Sequence, residues 1–278
     1  MSMVIDETSR GDAAARIALS VLVVAHNEEA QIAACLDTLR FADEIVVVLD
    51  KCTDRTREIV SRYTDRLVEG AWEIEGERRN LGLAACRGDW VLEVDADERV
   101  SPELAREVRA VIEMIPAPAY FLLPFDNYVG SRLVRYGWGA SWGVSAAARL
   151  SSKGVKSWGM TKIHPPVTLS GTRHWLENRM IHYVDRDISD MIRRLDRYSS
   201  ARAADLRASG NIGSFANNLR RLFSRFLKCY LGRKGYREGA LGFLIALFAG
   251  LFPLLSWFKA RFDLPPGASA ISDERTSV

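Results

Sequence analysis

An α/β fold is predicted for this chain: a mostly parallel sheet with helices on both faces, followed by a C-terminal helical appendage. Two features of the first 125 residues point to the sheet. Short apolar runs of strand length alternate with segments whose apolar residues recur at helical spacing, and the joints between them are brief. The appendage follows from a third feature, a basic stretch leading into twenty residues without a charge.

The elements follow in order. LSVLVVA (19–25) is almost continuously apolar, the pattern of a strand buried on both faces. EEAQIAACLDTLR then sets Ile32, Leu36 and Leu39 on one helical face. EIVVVLD (44–50) is a second strand, and TDRTREIVSRY a helix with Thr53 as its expected N-cap. RLVEG is a short strand, and ERRNLGLAACRGD a helix stopped by Gly88. WVLEV (90–94) is the fourth strand. SPELAREVRAVIEMI opens with a capping Ser101, Pro102 at the first helical position and an early Glu103. AYFLLPF (119–125) makes a fifth strand. Such alternation requires right-handed crossovers, which gather the carboxyl ends of the strands at one rim.

From 126 to about 185 the pattern loosens into a Gly-, Trp- and Arg-rich segment. Its tryptophans serve either an acceptor pocket or the core. DISDMIRRLDRYSSARAADLRAS (187–209) is an amphipathic helix carrying Ile188, Met191, Ile192, Leu195 and Leu206 on one stripe. The expected division is a flexible start (1–17), a catalytic domain (18–186), membrane-associating helices (187–262) and a flexible tail (263–278). Cutting before Phe215 is then expected to leave a soluble nucleotide-binding part.

Charge supports that division. The net formal charge is +3, yet the stretch from Arg207 to Arg237 has eight Lys or Arg and no Asp or Glu, which leaves −5 for the remainder. A basic block beside an acidic body suits an anionic surface. No nucleic-acid motif accompanies the block, so the expected surface is a membrane and not nucleic acid. GALGFLIALFAGLFPLLSWF (239–258) has the length to cross a hydrocarbon core of about 30 Å. Pro253, three glycines and basic residues at both ends (Arg237; Lys259, Arg261) favour instead a peripheral or monotopic helix on the cytoplasmic face. A buried core helix is the alternative. The four cysteines, Cys35, Cys52, Cys86 and Cys229, have no paired spacing, which points to a reducing compartment and to neither a zinc site nor a disulfide framework. The oligomeric state is left open.

Chemistry is signalled by WVLEVDADERVSPEL (90–104), where an apolar strand runs into Asp95, Asp97 and Glu98. Two aspartates two apart can share a hard cation such as Mg²⁺ or Mn²⁺, which in turn binds substrate phosphates. Alone, Asp-x-Asp is most simply a solvated turn. Here Asp50 ends another parallel strand and Asn27-Glu28 a third, so the rim suits a nucleoside diphosphate. No G-x-G-x-x-G or P-loop sequence follows any strand, which argues against dinucleotide oxidoreductases and P-loop nucleotidases.

SVLVVAHNEEAQIAACLDTLRFADEIVVVLDKCTDRT, followed by ERRNLGLAACRGDWVLEVDADERVSPEL, resembles glycosyltransferase family 2 with its GT-A, Rossmann-like fold. The branch it resembles is that of lipopolysaccharide core β-1,4-glucosyltransferases. FDNYVGSRLVRYGW, Arg149-Leu150, Ile163-His164, IHYV with Asp187, RYSSARAADL and KGYREGALGFLIALF recur there in the same order, over roughly residues 18–260. The resemblance implies inverting, metal-dependent transfer of a hexose, glucose in that branch, from a UDP-sugar to a lipid-anchored glycan such as lipopolysaccharide core. It implies that Asn27 and Glu28 contact the nucleoside and Asp50 the uracil. Arg79 and Asn80 would lie near base or phosphate, Asp95 would hold ribose and metal, and Asp97 the metal.

Two positions depart from that branch. Pro165 follows His164 where relatives commonly have Glu, and Lys51-Cys52 follows Asp50 where the family usually has Asp-Ser or Asp-Asn-Gly. The expected general base is therefore His164 or Asp126, with Glu177 and His182 behind them. His182, between Ile181 and Tyr183, has the setting of a structural histidine. Two other readings stay open. In one the acceptor is a polyprenyl phosphate, needing little general base and bound by Arg132, Arg135 and Arg149. In the other the chain is an inactive membrane-bound scaffold, against which the intact Asp-x-Asp speaks.

Overall fold

A computed structural model describes residues 18–139, 142–160 and 166–263. Its first half is the expected alternation: β1 (Leu19–Ala25), α1 (Ile32–Asp37), β2 (Glu44–Asp50), α2 (Thr56–Val60), β3 (Leu67–Gly70), α3 (Glu75–Ala85) and β4 (Trp90–Asp95). The four strands pair in parallel in the order β3-β2-β1-β4. Helices cover both faces. On one, Ile32, Leu36 and Val60 pack with Val21, Val23 and Val47; on the other, Leu83 and Ala85 pack against Leu22, Val46 and Val48. Gly82 lets α3 lie directly on the strands, because a Cβ there would stand 2.6 Å from Leu22 and 2.8 Å from Val48.

Both early helices are shorter than the periodicity predicts. Asn27, in the left-handed region with φ +56°, accepts through Oδ1 from the backbone N–H of Thr53 (2.8 Å) and Asp54 (3.3 Å). That ties 53–55 to the end of β1 as a loop. Thr53 therefore caps nothing, and Asp54 instead accepts from the N–H of Thr56 at 3.0 Å.

After β5 (Glu98–Arg99) comes α4 (Pro102–Met114), whose Ser101 cap accepts from the Leu104 N–H as expected. The expected fifth strand is β6, lengthened to Ala119–Val129, and the segment without clear periodicity then supplies half the strands: β7 (Arg132–Val134), β8 (Ala146–Ser152), β9 (Lys156–Trp158), β10 (Val167–Leu169), β11 (Thr172–Trp175) and β12 (Met180–Asp185). The main sheet continues β4-β8-β6-β12-β5, with β8 antiparallel to both its neighbours. Strand β8, AAARLSS, carries too little apolar character to announce itself.

The C-terminal part holds α5 (Ile188–Ala208), α6 (Phe215–Leu227), a π turn (Lys228–Gly232), a 3-10 turn (Gly235–Glu238) and α7 (Gly239–Phe262). These helices share a core with the sheet's far end. Val129, Val134, Trp138 and Trp142 pack with Met191, Leu195, Ile245, Phe248 and Phe252. Trp142 is fully buried, edge-on to Phe248 at 5.7 Å, with the Arg194 guanidinium 4.1 Å over its ring. The stretch Gly235–Phe262 is long and apolar enough to cross a membrane, yet half of its most apolar part is buried inside the protein.

Candidate active site

The carboxyl ends of β1 and β4 meet beneath a cavity of about 570 Å³, and Asp50 at the end of β2 lies behind its lining, paired with Arg78. His26 and Glu28 from the end of β1, Arg78 and Arg79 from α3, Asp95 and Asp97 after β4, Arg149 from β8 and His182 from β12 line it, with Trp158 and Tyr198 as its aromatic walls. The backbone is bent sharply at this rim, since Asn27 and Lys51 both have positive φ.

Asp50 accepts from the N–H of Trp72 (3.0 Å) and pairs with Arg78, while its carbonyl meets His26 Nδ1 at 2.6 Å. Arg79 is buried, bonded to Glu75 (2.9 Å) and Asp95 (3.2 Å). Asn80 donates to the carbonyl of Trp158 (2.8 Å) and accepts its N–H (2.9 Å), so it pins β9 as a wall of the cavity. The Trp158 indole donates to buried Glu93 at 3.1 Å, and Lys156 pairs with the same carboxylate. Burial raises the Glu28 pKa, against the hydrogen bond from Gln31.

Asp95 sits between two guanidiniums. One oxygen accepts from Arg79 and the other from Arg149 at 2.5 Å. Burial alone would raise its pKa, but Arg149 and Arg79 outweigh it and hold the carboxyl well below the usual range. Arg149 also reaches Glu98 at 2.5 Å. It can do so because the β6–β8 register jumps from Phe121↔Leu150 to Leu122↔Ala148, which leaves Arg149 in a bulge that re-aims its side chain. Glu98 is fully buried and accepts the Asp95 N–H at 2.9 Å. Burial, opposed by Arg149 and reinforced by the Asp95 charge, pushes it up to about 7.

Asp97, Glu98 and His182 offer ligand atoms within 4.8 Å of one another. Two carboxylate oxygens and an imidazole nitrogen suit Mn²⁺ or Mg²⁺. Glu98 is committed to Arg149 and a backbone N–H, whereas Asp97 is a third exposed and His182 Nε2 lies 3.4 Å from its Oδ2. The donor set thus fits a divalent ion held mainly by Asp97 and His182. In this arrangement Asp95 braces the site through its arginines.

The other expected residues are dispersed. Asp126 lies 3.5 Å from Arg135 and 3.8 Å from Arg179, outside the cavity lining. Glu177 is on a turn held by Glu107 of α4, and His164 falls outside the described residues. Arg132, Arg135 and Arg149 do not converge: Arg132 donates to the carbonyl of Glu238 at 2.9 Å, Arg135 faces Asp126, and Arg149 is consumed by Asp95 and Glu98. His182 and Arg149 carry more of the site than the sequence indicated. Neither the bulge nor the Asp97–His182 contact leaves a local signal.

A rim of strand ends that joins a carboxylate–histidine cluster to a basic, aromatic-walled cavity, on a sheet of this order, has the GT-A architecture of a glycosyltransferase. Residues 20–139 match the model of the family described as Glycosyl transferase family 2. Over 258 residues, 88% of this chain and 92% of the relative, it is 24% identical to the lipopolysaccharide core biosynthesis glycosyltransferase LpsC of Rhizobium meliloti. It is 25% identical over 259 residues to an uncharacterized glycosyltransferase of Rickettsia typhi, covering 87% of this chain and 86% of that protein. Among solved structures it is similar to residues 1–349 of Staphylococcus aureus TarS, with 18% identity and a TM-score of 0.46 over 88% of this chain and 87% of that one.

Proposed function

We propose that this glycosyltransferase moves a hexose, glucose, from a UDP-sugar to a lipid-anchored glycan of the lipopolysaccharide core type, with inversion, at the cytoplasmic face of the membrane. The observation that carries the donor side is the Asp97–His182 pair at the cavity on the strand-end rim. A divalent ion held there would act as a Lewis acid toward the diphosphate leaving group. The residues around it divide the remaining work. Asn27, Glu28 and Asp50 are assigned to the nucleoside, and Arg78 and Arg79 bring positive charge toward the phosphates. Trp158, fixed by Asn80 and Glu93, excludes water from one side. The acceptor hydroxyl attacks from the face opposite the leaving group while a general base takes its proton. Asp126, which keeps an oxygen without a hydrogen-bond donor, and His164 are the proposed bases.

Support for a lipid-anchored acceptor comes from the similarity to LpsC and from the basic, partly exposed helices beside the catalytic part. The test is calorimetry with a panel of nucleotide sugars, with and without Mn²⁺. UDP-glucose is expected to bind tightly only when the ion is present. Equal affinity without any divalent ion would overturn the metal-dependent reading.

A further inference from the structure

A second polar cavity, of about 320 Å³, lies where α5, α6 and α7 meet the 211–213 turn. Arg202, Arg221 and Arg225 line it together with Asn217, Asn218 and Ser256, and its lining contains no Asp or Glu. Arg202 meets Asp205 at a loose 3.6 Å, and Arg221 has no ion-pair partner among the described residues. Arg225 is the strangest of the three. Its Nη1 is buried with no hydrogen-bond partner, and burial together with the charges of Arg221 and Arg202 works against its own ionisation. Three cations around a void with no anion repel one another, and an ionised acceptor in that void would relieve the repulsion and fill the orphaned donor.

What surrounds the cavity says where such an anion comes from. Trp257 donates its indole N–H to the carbonyl of Gly213, itself part of the lining, at 3.0 Å. Trp257, Phe215, Phe258 and Phe262 form one contiguous aromatic cluster with ring centroids 5.3–6.1 Å apart. Three of them face solvent: Phe215 is 45%, Phe258 39% and Phe262 69% exposed. An exposed aromatic cluster with a hydrogen-bonded Trp beside a basic hollow is the chemistry of head-group depth, where indole rings and phosphates meet.

We propose that this cavity binds the phosphate of a net-anionic phospholipid head group through Arg202, Arg221 and Arg225, while the adjoining aromatic cluster enters the acyl-chain boundary. The inference rests on the membrane attachment proposed above and is independent of the sugar chemistry. A zwitterionic phosphocholine head group would carry a cation into a hollow that holds cations already, so phosphatidylcholine alone is a poor occupant.

Full-length protein is titrated with vesicles of phosphatidylcholine alone and of phosphatidylcholine mixed with phosphatidylglycerol. The wild type is expected to prefer the mixed vesicles, and Arg225→Gln to lose tenfold or more of that affinity. Arg220→Gln, on the same helix but outside the lining, is expected to lose no more than about fivefold, the roughly 1 kcal/mol of one surface charge near anionic lipid. Equal losses in the two variants would reduce the site to general surface charge and overturn the proposal. A second measurement on the wild type covers the case of a variant that does not fold. Short-chain, soluble phosphatidylglycerol is expected to raise its melting temperature. A rise from inorganic phosphate with none from the lipid overturns the lipid assignment in favour of a free-anion site. Both readouts are binding alone, so their failure leaves sugar transfer untouched, and failure of transfer leaves them intact.

Discussion

His182 Nε2 stands 3.4 Å from Asp97 Oδ2, and the tautomer that would let it ligate the proposed metal ion is set by a chain of hydrogen bonds behind it. The Asn127 amide donates to the carbonyl of Val144 at 2.8 Å, which leaves its Oδ1 to accept from His182 Nδ1 at 2.8 Å. With Nδ1 carrying the proton, neutral His182 directs its Nε2 lone pair toward Asp97. Burial lowers the His182 pKa, yet the Asp97 hydrogen bond and charge raise it overall, so a proton and a metal ion compete for Nε2. Asn127→Ala, the loss of the partner behind the ligand, is expected to weaken Mn²⁺ affinity about 10- to 100-fold, and His182→Ala by a larger factor. Asp97→Ala is expected to abolish transfer with the fold retained. Mn²⁺ titration followed by electron paramagnetic resonance checks this; unchanged affinity in His182→Ala would remove the ligand assignment.

Arg149 pairs with two carboxylates at once, the buried Glu98 and the partly buried Asp95. Its side chain is 10% exposed and that of Glu98 is fully buried. Removing one partner of a buried ion pair costs about 3–5 kcal/mol, because the remaining charge stays desolvated. Arg149→Met is therefore expected to lower the melting temperature by roughly 10 °C. Glu98→Gln added to it is expected to recover part of that loss, since Arg79 still serves Asp95. Calorimetric melts of the single and double variants decide the matter. A loss below about 1 kcal/mol in the single variant would contradict the role given to the bulge.

The parts of this molecule that were legible in the sequence are those whose cause is local. Strands β1, β2 and β4 are buried on both faces and so read as apolar runs, and the Ser101-Pro102 start of α4 is written in adjacent residues. The acidic cluster announced the rim for the same reason. What was not legible depends on distant partners. Asn27 shortens α2 by bonding residues 26 and 27 positions away. Strand β8 exists because β4 and β6 leave a place between them, not because AAARLSS favours extension. His182 looked structural from its apolar neighbours, and only the pairing of β12 with β5 and β6 carries it to Asp97.

Asn80 tests whether the cavity wall is built for the donor. Its two bonds to the Trp158 backbone hold β9 against α3, and Arg79 lies 4.7 Å from the Trp158 ring. Asn80→Ala leaves a backbone N–H and a carbonyl without these partners, a cost of about 1–3 kcal/mol. The expected kinetic signature is a donor KM raised about tenfold with kcat reduced less, since a looser wall weakens ground-state and transition-state binding alike. Steady-state kinetics with varied UDP-sugar separates this from a loss confined to kcat, which would point to a role for Asn80 at the reacting atoms.

Asp43 supplies an acid-sensitive fastening for the first strand. Its carboxylate pairs with Arg109 of α4 and accepts the N–H groups of Ala18 (3.0 Å) and Leu19 (2.9 Å). The Arg109 hydrogen bond, opposed by slight burial and aided by the Leu19 N–H, lowers its pKa from 3.8 to about 2. A folded pKa below the unfolded one means stabilisation that is complete above about pH 4 and is lost as pH falls through about 2. Asp43→Asn is thus expected to melt below the wild type at neutral pH, with the gap narrowing between pH 4 and 2. Thermal melts across that range check the sign, and a gap that widens on acidification would refute it.

The C-terminal helices cover part of the catalytic half's buried surface, which bears on whether they can be removed. Trp142 would lose Phe248, and Trp138, Val134 and Leu195 would lose the α7 face on which they pack. Glu238, at the start of α7, accepts the N–H groups of Arg135 (2.9 Å) and Tyr136 (3.1 Å) on one carboxylate oxygen, so its removal also leaves two N–H groups just past β7 without their acceptor. Losing buried contact for several large side chains, at up to about 1.5–3 kcal/mol each, is comparable to the whole stability of an ordinary domain. Cutting before Phe215, which a separable tail would tolerate, is now expected to yield an aggregating or molten chain. Exchanging exposed Phe223, Leu227 and Leu231 for Ser should instead keep the fold while weakening vesicle binding, because these side chains are half exposed or more. Circular dichroism and size-exclusion chromatography of both forms distinguish the cases. A truncated chain that runs as a compact monomer and still binds UDP would show that the shared core is dispensable.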